Sequence, residues 1–137
     1  MRQRWPDFRV LSQTGRLVRW EGRLRPLSQM YTVQVAFCLE QKRRRAQCSL
    51  SPHVIVTDPL LHRRVETPEE PIPHHYPNRV CPRYPFLCLY DLAAHEWHPR
   101  QSIAHTIVPW TIDWLACYEG WLATGEWTGG GRHPTSE

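Results

Sequence analysis

No stretch of about 18 consecutive apolar residues, the length a helix needs to cross a bilayer, occurs in this chain of 137 residues. Its first ten residues, MRQRWPDFRV, also lack the apolar centre of an export signal. Together these absences predict a soluble protein, cytoplasmic by default, with no membrane as partner. Tight Cys-x-x-Cys pairs are missing as well, which weakens a reading as a structural zinc site. The five cysteines, Cys38, Cys48, Cys81, Cys88 and Cys117, are odd in number. Without an export signal that count argues against a disulfide framework and leaves at least one thiol free.

Neither sign of charge dominates strongly: 17 Lys and Arg against 13 Asp and Glu leave a net +4. The cations gather at Arg2/Arg4, Arg23/Arg25 and Lys42-Arg43-Arg44-Arg45. Such clusters can meet nucleic acid, yet no aromatic stacking platform interleaves them. They read as solvated loops and strand edges, and nucleic acid is not an expected partner.

Aromatic bulk is what the chain does possess. Seven Trp, five Tyr and three Phe supply material for a core, while a mean hydropathy of -0.55 signals many polar, loop-like residues. At this length residues 1–137 make one domain able to bury roughly two thirds of its unfolded surface.

The first third of the chain has the period of strands. Phe8 to Leu11 is a short one, Thr14-Gly15 signals a turn, and 17–24 and 31–37 alternate apolar with polar residues. Residues 40–51 are polar and charged, hence a loop. A fourth strand, 53–57, stands between Pro52 and Pro59. The expected arrangement is an antiparallel meander.

Between Asp58 and Pro99 lie eight prolines, at 59, 68, 71, 73, 77, 82, 85 and 99, and their fixed φ and missing donors exclude regular structure from most of the stretch. A long irregular segment with an apolar island, Tyr84 to Tyr90, is expected to pack and to carry the functional site. Beyond it, Ser102 is the expected N-cap of a helix running from Ile103 to Ala123, with Gly125 as stop. Pro109 should kink this helix or restart it as a first residue. One face holds Ile103, Ile107, Leu115, Tyr118 and Leu122 and is expected against the sheet. A second holds Trp110, Trp114, Cys117 and Trp121, to be covered by the termini or by a partner such as a second copy. The termini are favoured, because Trp5, Trp20 and the tail are at hand. Residues 128–137 have little to bury and are expected to be a mobile tail.

Local motifs narrow this order of elements to a family. Leu87-Cys88-Leu89 resembles the active-site triplet of the ubiquitin-conjugating enzymes, and Trp97-His98-Pro99-Arg100-Gln101-Ser102-Ile103 resembles their Trp-x-Pro-x-x-Thr/Ser-Ile element. Pro52-His53-Val54 is similar to the opening of their fourth strand, and His75-Tyr76-Pro77-Asn78 to their His-Pro-Asn element. The resemblance is closer to compact bacterial members from anti-phage operons, including cyclic-oligonucleotide signalling systems, through Leu87-Cys88-Leu89-Tyr90, Val108-Pro109-Trp110 and Trp127 to Gly131. It spans Leu17 to Pro134. The implied fold is α+β: a four-stranded antiparallel meander backed by one long helix, with the larger family's terminal helices reduced or absent.

By this resemblance Cys88 is the nucleophile that holds a modifier's C-terminus as a thioester, the modifier being a ubiquitin-like protein or a cGAS-like nucleotidyltransferase. An activating enzyme is then a further partner. Asn78 becomes an oxyanion donor or loop-orienting residue, and His75 a brace for the site loop, while Leu87, Leu89, Tyr90, Trp97 and Pro99 shape the site. Asn78 stands ten residues before Cys88, a longer spacing than the family's, the extra residues including Cys81 and Pro82. No general base is evident, and Asp91 is a candidate to orient an incoming lysine. No metal or other cofactor is expected. Zinc held among His74, His75, Cys81, Cys88, His95 and His98 is the rival chemistry, Cys-His proteolysis another, and a binding module without catalysis a third reading. Gly129 to Gly131 are followed by six more residues, so they are expected to form a connection or close-packed turn rather than a conjugated end.

Overall fold

A computed structural model describes residues 1–38, 51–91 and 93–129. The charged loop expected at 40–51, with its Lys42–Arg45 cluster, lies outside them except for Ser51, as does the tail from Gly130 onward. Four strands, β1 (Arg9–Gln13), β2 (Leu17–Leu24), β3 (Tyr31–Cys38) and β4 (His53–Asp58), form one sheet in chain order. Each is antiparallel to the next, so the expected meander is present. With one helix among the described residues, α1 (Ile107–Thr124), the architecture is α+β. No helix of the described residues is long and apolar enough to cross a membrane.

Strand alternation does what the sequence pattern requires. Tyr31, Val33, Val35 and Phe37 of β3 are buried, and the register sets Val33 beside Gly22 and Val56, and Val35 beside Trp20 and Val54. These side chains therefore share one face and form the core with Ile107, Leu115 and Tyr118 of α1. The expected first strand is displaced: β1 begins at Arg9, and Phe8 leaves the strand to cover the core face over Gly22. A Cβ at Gly22 would stand 2.2 Å from Phe8 Cδ2, so only glycine admits this ring. Trp5 meets Phe8 edge-on and donates its indole N–H to Ala104 O at 2.7 Å, tying the N-terminal segment to the approach to α1.

The helix starts later than Ser102 suggests. Residues 103–106 form a turn in which Thr106 N–H donates to Ser102 O, and Val108 N–H reaches five residues back to Ile103 O. Thr106 is the N-cap, but its hydroxyl makes no capping bond. It donates instead to Ser102 O and accepts the Trp97 indole N–H. Pro109 is the third helical residue, neither a kink nor a restart, because the first turn has no intrahelical use for its missing donor. At the other end Gly125 takes φ 81° and donates to Trp121 O. Arg64 Nε adds a bond to Leu122 O at the carbonyl-rich terminus.

The expected division of α1 into a sheet face and a tryptophan face requires correction. Ile107, Thr111, Trp114, Tyr118 and Trp121 form one buried stripe, flanked by Val108 and Leu115, while Ile103 and Leu122 pack partly buried beside it. Trp114 and Trp121 thus belong to the core, and Trp110 is half-buried. Layers on both sides of the helix make this possible. Tyr31 of the sheet meets Tyr118, and from the proline-rich segment His62 N–H donates to Tyr118 Oη, which donates back to His62 O. Near the C-terminus, Trp127 packs edge-on against Trp114 at 5.2 Å.

Candidate active site

Within residues 59–91 and 93–99 the regular structure amounts to one short ladder, β5 (His75–Tyr76) with β6 (Phe86–Leu87). It pairs His75 with Leu87 and Tyr76 with Phe86 and delivers Cys88 at the end of β6. The preceding residue, His74, has φ 50°, a left-handed conformation uncommon outside glycine. This turn aims the His74 carbonyl at two donors: the Cys88 amide at 3.0 Å and the Trp114 indole at 2.8 Å. The cysteine backbone is thereby fastened to the centre of α1.

Asn78 closes the hairpin. Its Nδ2 donates to Tyr84 O at 2.9 Å, and its Oδ1 accepts the amides of Val80 and Cys81 at 3.2 and 3.0 Å. The buried side chain is thus spent on the 78–84 loop, and the extra residues, Cys81 and Pro82, sit exposed at its tip. His75 contacts Ile72 O through Nδ1. Asn78 and His75 therefore support the loop, and no bond joins either side chain to Cys88.

The Cys88 side chain is half-buried, and its thiol donates to Tyr76 Oη at 3.3 Å. Burial pushes the thiol above its usual 9.0; the Tyr76 hydroxyl pulls it partly back, while the carboxylates of Asp91 and Glu96 push it up again. Tyr76 is itself pushed up to about 12, first by its bond with Cys88 and then by burial. The phenol thus keeps its proton throughout the neutral range, and once the sulfur ionises it becomes the donor.

A pocket of about 260 Å³ opens beside the sulfur. Cys88, Leu89 and His74 form one side, and Trp110, Asp113, Trp114 and Cys117 of α1 the other. Trp127 and Gly129 complete it. Gly129 is close-packed: a Cβ there would lie 2.7 Å from Trp127 Nε1 and 2.9 Å from Cys117 Sγ. Gly129, the second residue of the expected tail, is therefore part of the site's surroundings.

Around this pocket the other expected residues occupy distinct positions. Tyr90 donates to Pro52 O at 3.0 Å and faces both Trp97 and Trp110. Leu87 and Trp97 are buried in the core, Trp97 against Phe37, and Pro99 is exposed. Asp91 Oδ1 accepts the amides of Ala93 and Ala94 and so caps a turn. Cys81 is exposed and is not among the residues lining the pocket. Among the described residues no three His, Cys, Asp or Glu side chains gather as a metal site.

Sequence reasoning missed Tyr76, Trp114 as a hydrogen-bond donor, and Asp113. Tyr76 alternates with His75 on a two-residue strand, a signal too short to read. The other two emerge only when α1 is laid behind Cys88.

An antiparallel meander, a cysteine at the end of a fastened irregular segment and one helix behind it are compatible with an E2-like protein. Residues 1–134 match the family model for the Type II CBASS E2 protein, and the chain belongs to that family. Its members are E2-like proteins of bacterial anti-phage CBASS operons. No curated protein matches the sequence.

Proposed function

We propose that this domain, on a ubiquitin-conjugating-like fold, carries the C-terminus of a modifier as a thioester on Cys88 and passes it to an amine. The modifier is a ubiquitin-like protein or a cGAS-like nucleotidyltransferase, charged by an activating enzyme. The observation that carries this reading is the half-buried Cys88 thiol, its backbone held by the Cys88 amide to His74 O, beside an open pocket and hydrogen-bonded to the Tyr76 hydroxyl.

Loading is an exchange of thioesters. The Cys88 sulfur attacks the donor's acyl carbon as its proton leaves, the new C–S bond forms, and the donor thiolate departs to be protonated by solvent. A thiol held above its ordinary pKa is a weak nucleophile at neutral pH towards most electrophiles, which suits a carrier that reacts only when a partner delivers an activated acyl group. In discharge the same sulfur is the leaving group, and the Tyr76 hydroxyl donates to it as negative charge develops. Asn78 serves by holding the 78–84 loop, and His75 by bracing it from Ile72 O. Trp97 and Tyr90 set the floor on which Leu89 and the pocket rest.

The test is a non-reducing gel after incubation with the operon's nucleotidyltransferase and activating component. A thiol-sensitive adduct is expected in wild type and in Cys81→Ala, none in Cys88→Ala, and a thiol-resistant ester in Cys88→Ser. An adduct that survives Cys88→Ala and disappears in Cys81→Ala overturns the assignment.

A further inference from the structure

Asp113 stands on the solvent side of the pocket beside Cys88. It is the one acid among the residues lining that pocket, and no Lys or Arg lines it. Asp113 makes no hydrogen bond or ion pair among the described residues. By helical spacing Asp113, Cys117, Trp110 and Trp114 lie side by side on one side of α1, with Asp113 at its solvent edge three residues from Trp110, and Trp127 lines the same pocket. A cation in this pocket would meet the counter-charge of an uncompensated carboxylate and walls made in part of three indoles. The residue expected to orient an amine, Asp91, is committed to the turn at Ala93 and Ala94.

We infer that this pocket receives the acceptor as a primary ammonium, the head of a lysine side chain, with Asp113 as its counter-ion and Trp110, Trp114 and Trp127 as its walls. The inference rests on the thioester reading of Cys88 for its chemistry. The ammonium enters between the indoles, a slim four-carbon stem filling the apolar part of the pocket. It gives up one proton to Asp113, which passes it to solvent. The neutral nitrogen then attacks the acyl carbon on Cys88. The C–N bond forms, the C–S bond breaks, and nitrogen loses its second proton as the amide forms. The departing Cys88 thiolate takes up one proton, so each turnover releases one to solvent.

Two measurements separate this inference from the reading on which it rests. Cys88 is acylated by exchange with a short peptide mercaptoethanesulfonate thioester, and the acyl protein is discharged with Nα-acetyl-lysine methylamide or with hydroxylamine, which is uncharged at neutral pH. In Asp113→Asn the ratio of lysine to hydroxylamine discharge is expected to fall about tenfold or more, through a higher half-saturating lysine concentration. Asp113→Glu is expected to restore most of the loss. In the second measurement, unacylated protein is titrated with n-butylammonium or with neutral n-butanol while the indole N–H resonances are followed. The ammonium alone is expected to shift the signals of Trp110, Trp114 and Trp127 saturably, and Asp113→Asn to abolish the shift.

An unchanged discharge ratio in Asp113→Asn overturns the inference, and so do indole signals that ignore butylammonium. If Cys88 accepts no acyl group while the indoles still respond, the carrier reading falls and the ammonium pocket stands.

Discussion

The sheet and the proline-rich segment that follows it are held together by different physics. Along β2, β3 and β4 the backbone is satisfied rung by rung, and the inward side chains share one apolar face. Among the described residues from Pro59 to Pro99 two residue pairs form a ladder, and the chain is pinned by isolated side-chain and loop bonds: Tyr118 on His62, Asn78 across its loop, Trp114 and Cys88 on His74 O. Losses in the sheet are therefore shared by the whole domain. Those in the segment are local and should appear first at the sulfur.

Leu115→Ala tests the global side most severely. This side chain is fully buried, and its truncation is expected to cost about 3 kcal/mol, read as a lower denaturant midpoint, with Cys88 alkylation in the folded protein little changed. Gly22→Ala should follow at roughly 2 kcal/mol, because its Cβ displaces the Phe8 ring. Its signature is a mobile N-terminal segment alongside the lost stability. Asn78→Ala belongs to the other region. It forfeits three bonds to backbone and should cost about 1–2 kcal/mol, with a larger proportional rise in iodoacetamide reactivity at Cys88 than in global unfolding. Equal loss at both sites in these variants would collapse the distinction between the regions.

Smaller effects sharpen the same contrast. Cys88 holds its proton longer folded than unfolded, so its contribution to stability is complete below the ordinary thiol pKa of 9.0 and is lost as pH climbs through the raised folded value. Alkylation of Cys88 should accordingly rise with pH and reach half its maximum above that value. Tyr76→Phe removes the hydroxyl that accepts from the Cys88 thiol and that can turn to donate to its thiolate, so this midpoint should move further up with little change in denaturant midpoint. Trp121→Phe should do least, below about 1 kcal/mol: among the described residues the buried Trp121 Nε1 has no hydrogen-bond partner to lose.

The same contrast decides what was legible in the sequence. Residues 17–24, 31–37 and 53–57 were readable because alternation repeats over several residues and one face must be buried. Cys88 stood out through its flanking leucines and its distance to Trp97. The helix start was not legible, since Ser102 and Thr106 both look like caps and only the Trp97 indole decides what the Thr106 hydroxyl does. A two-residue strand has no period, which hid β5 and with it the approach of Tyr76 to Cys88. Trp114 and Trp121 seemed to form a second face because a helix's own sequence says nothing of a loop layer packed on its far side. The long spacing from Asn78 to Cys88 resolves once the loop is seen: the added residues lie in an exposed tip that Asn78 spans.

The His74 carbonyl has a consequence for hydrogen exchange. Its two acceptor directions are both filled, one by the Cys88 amide and one by the Trp114 indole, so a single local opening frees two protons that are 26 positions apart in sequence. Their exchange rates should rise and fall together, at an opening free energy below that of the β2–β3 amides. The pair is thus a clock for the site, one that runs on the excursions of the segment around the sulfur while the sheet stays closed.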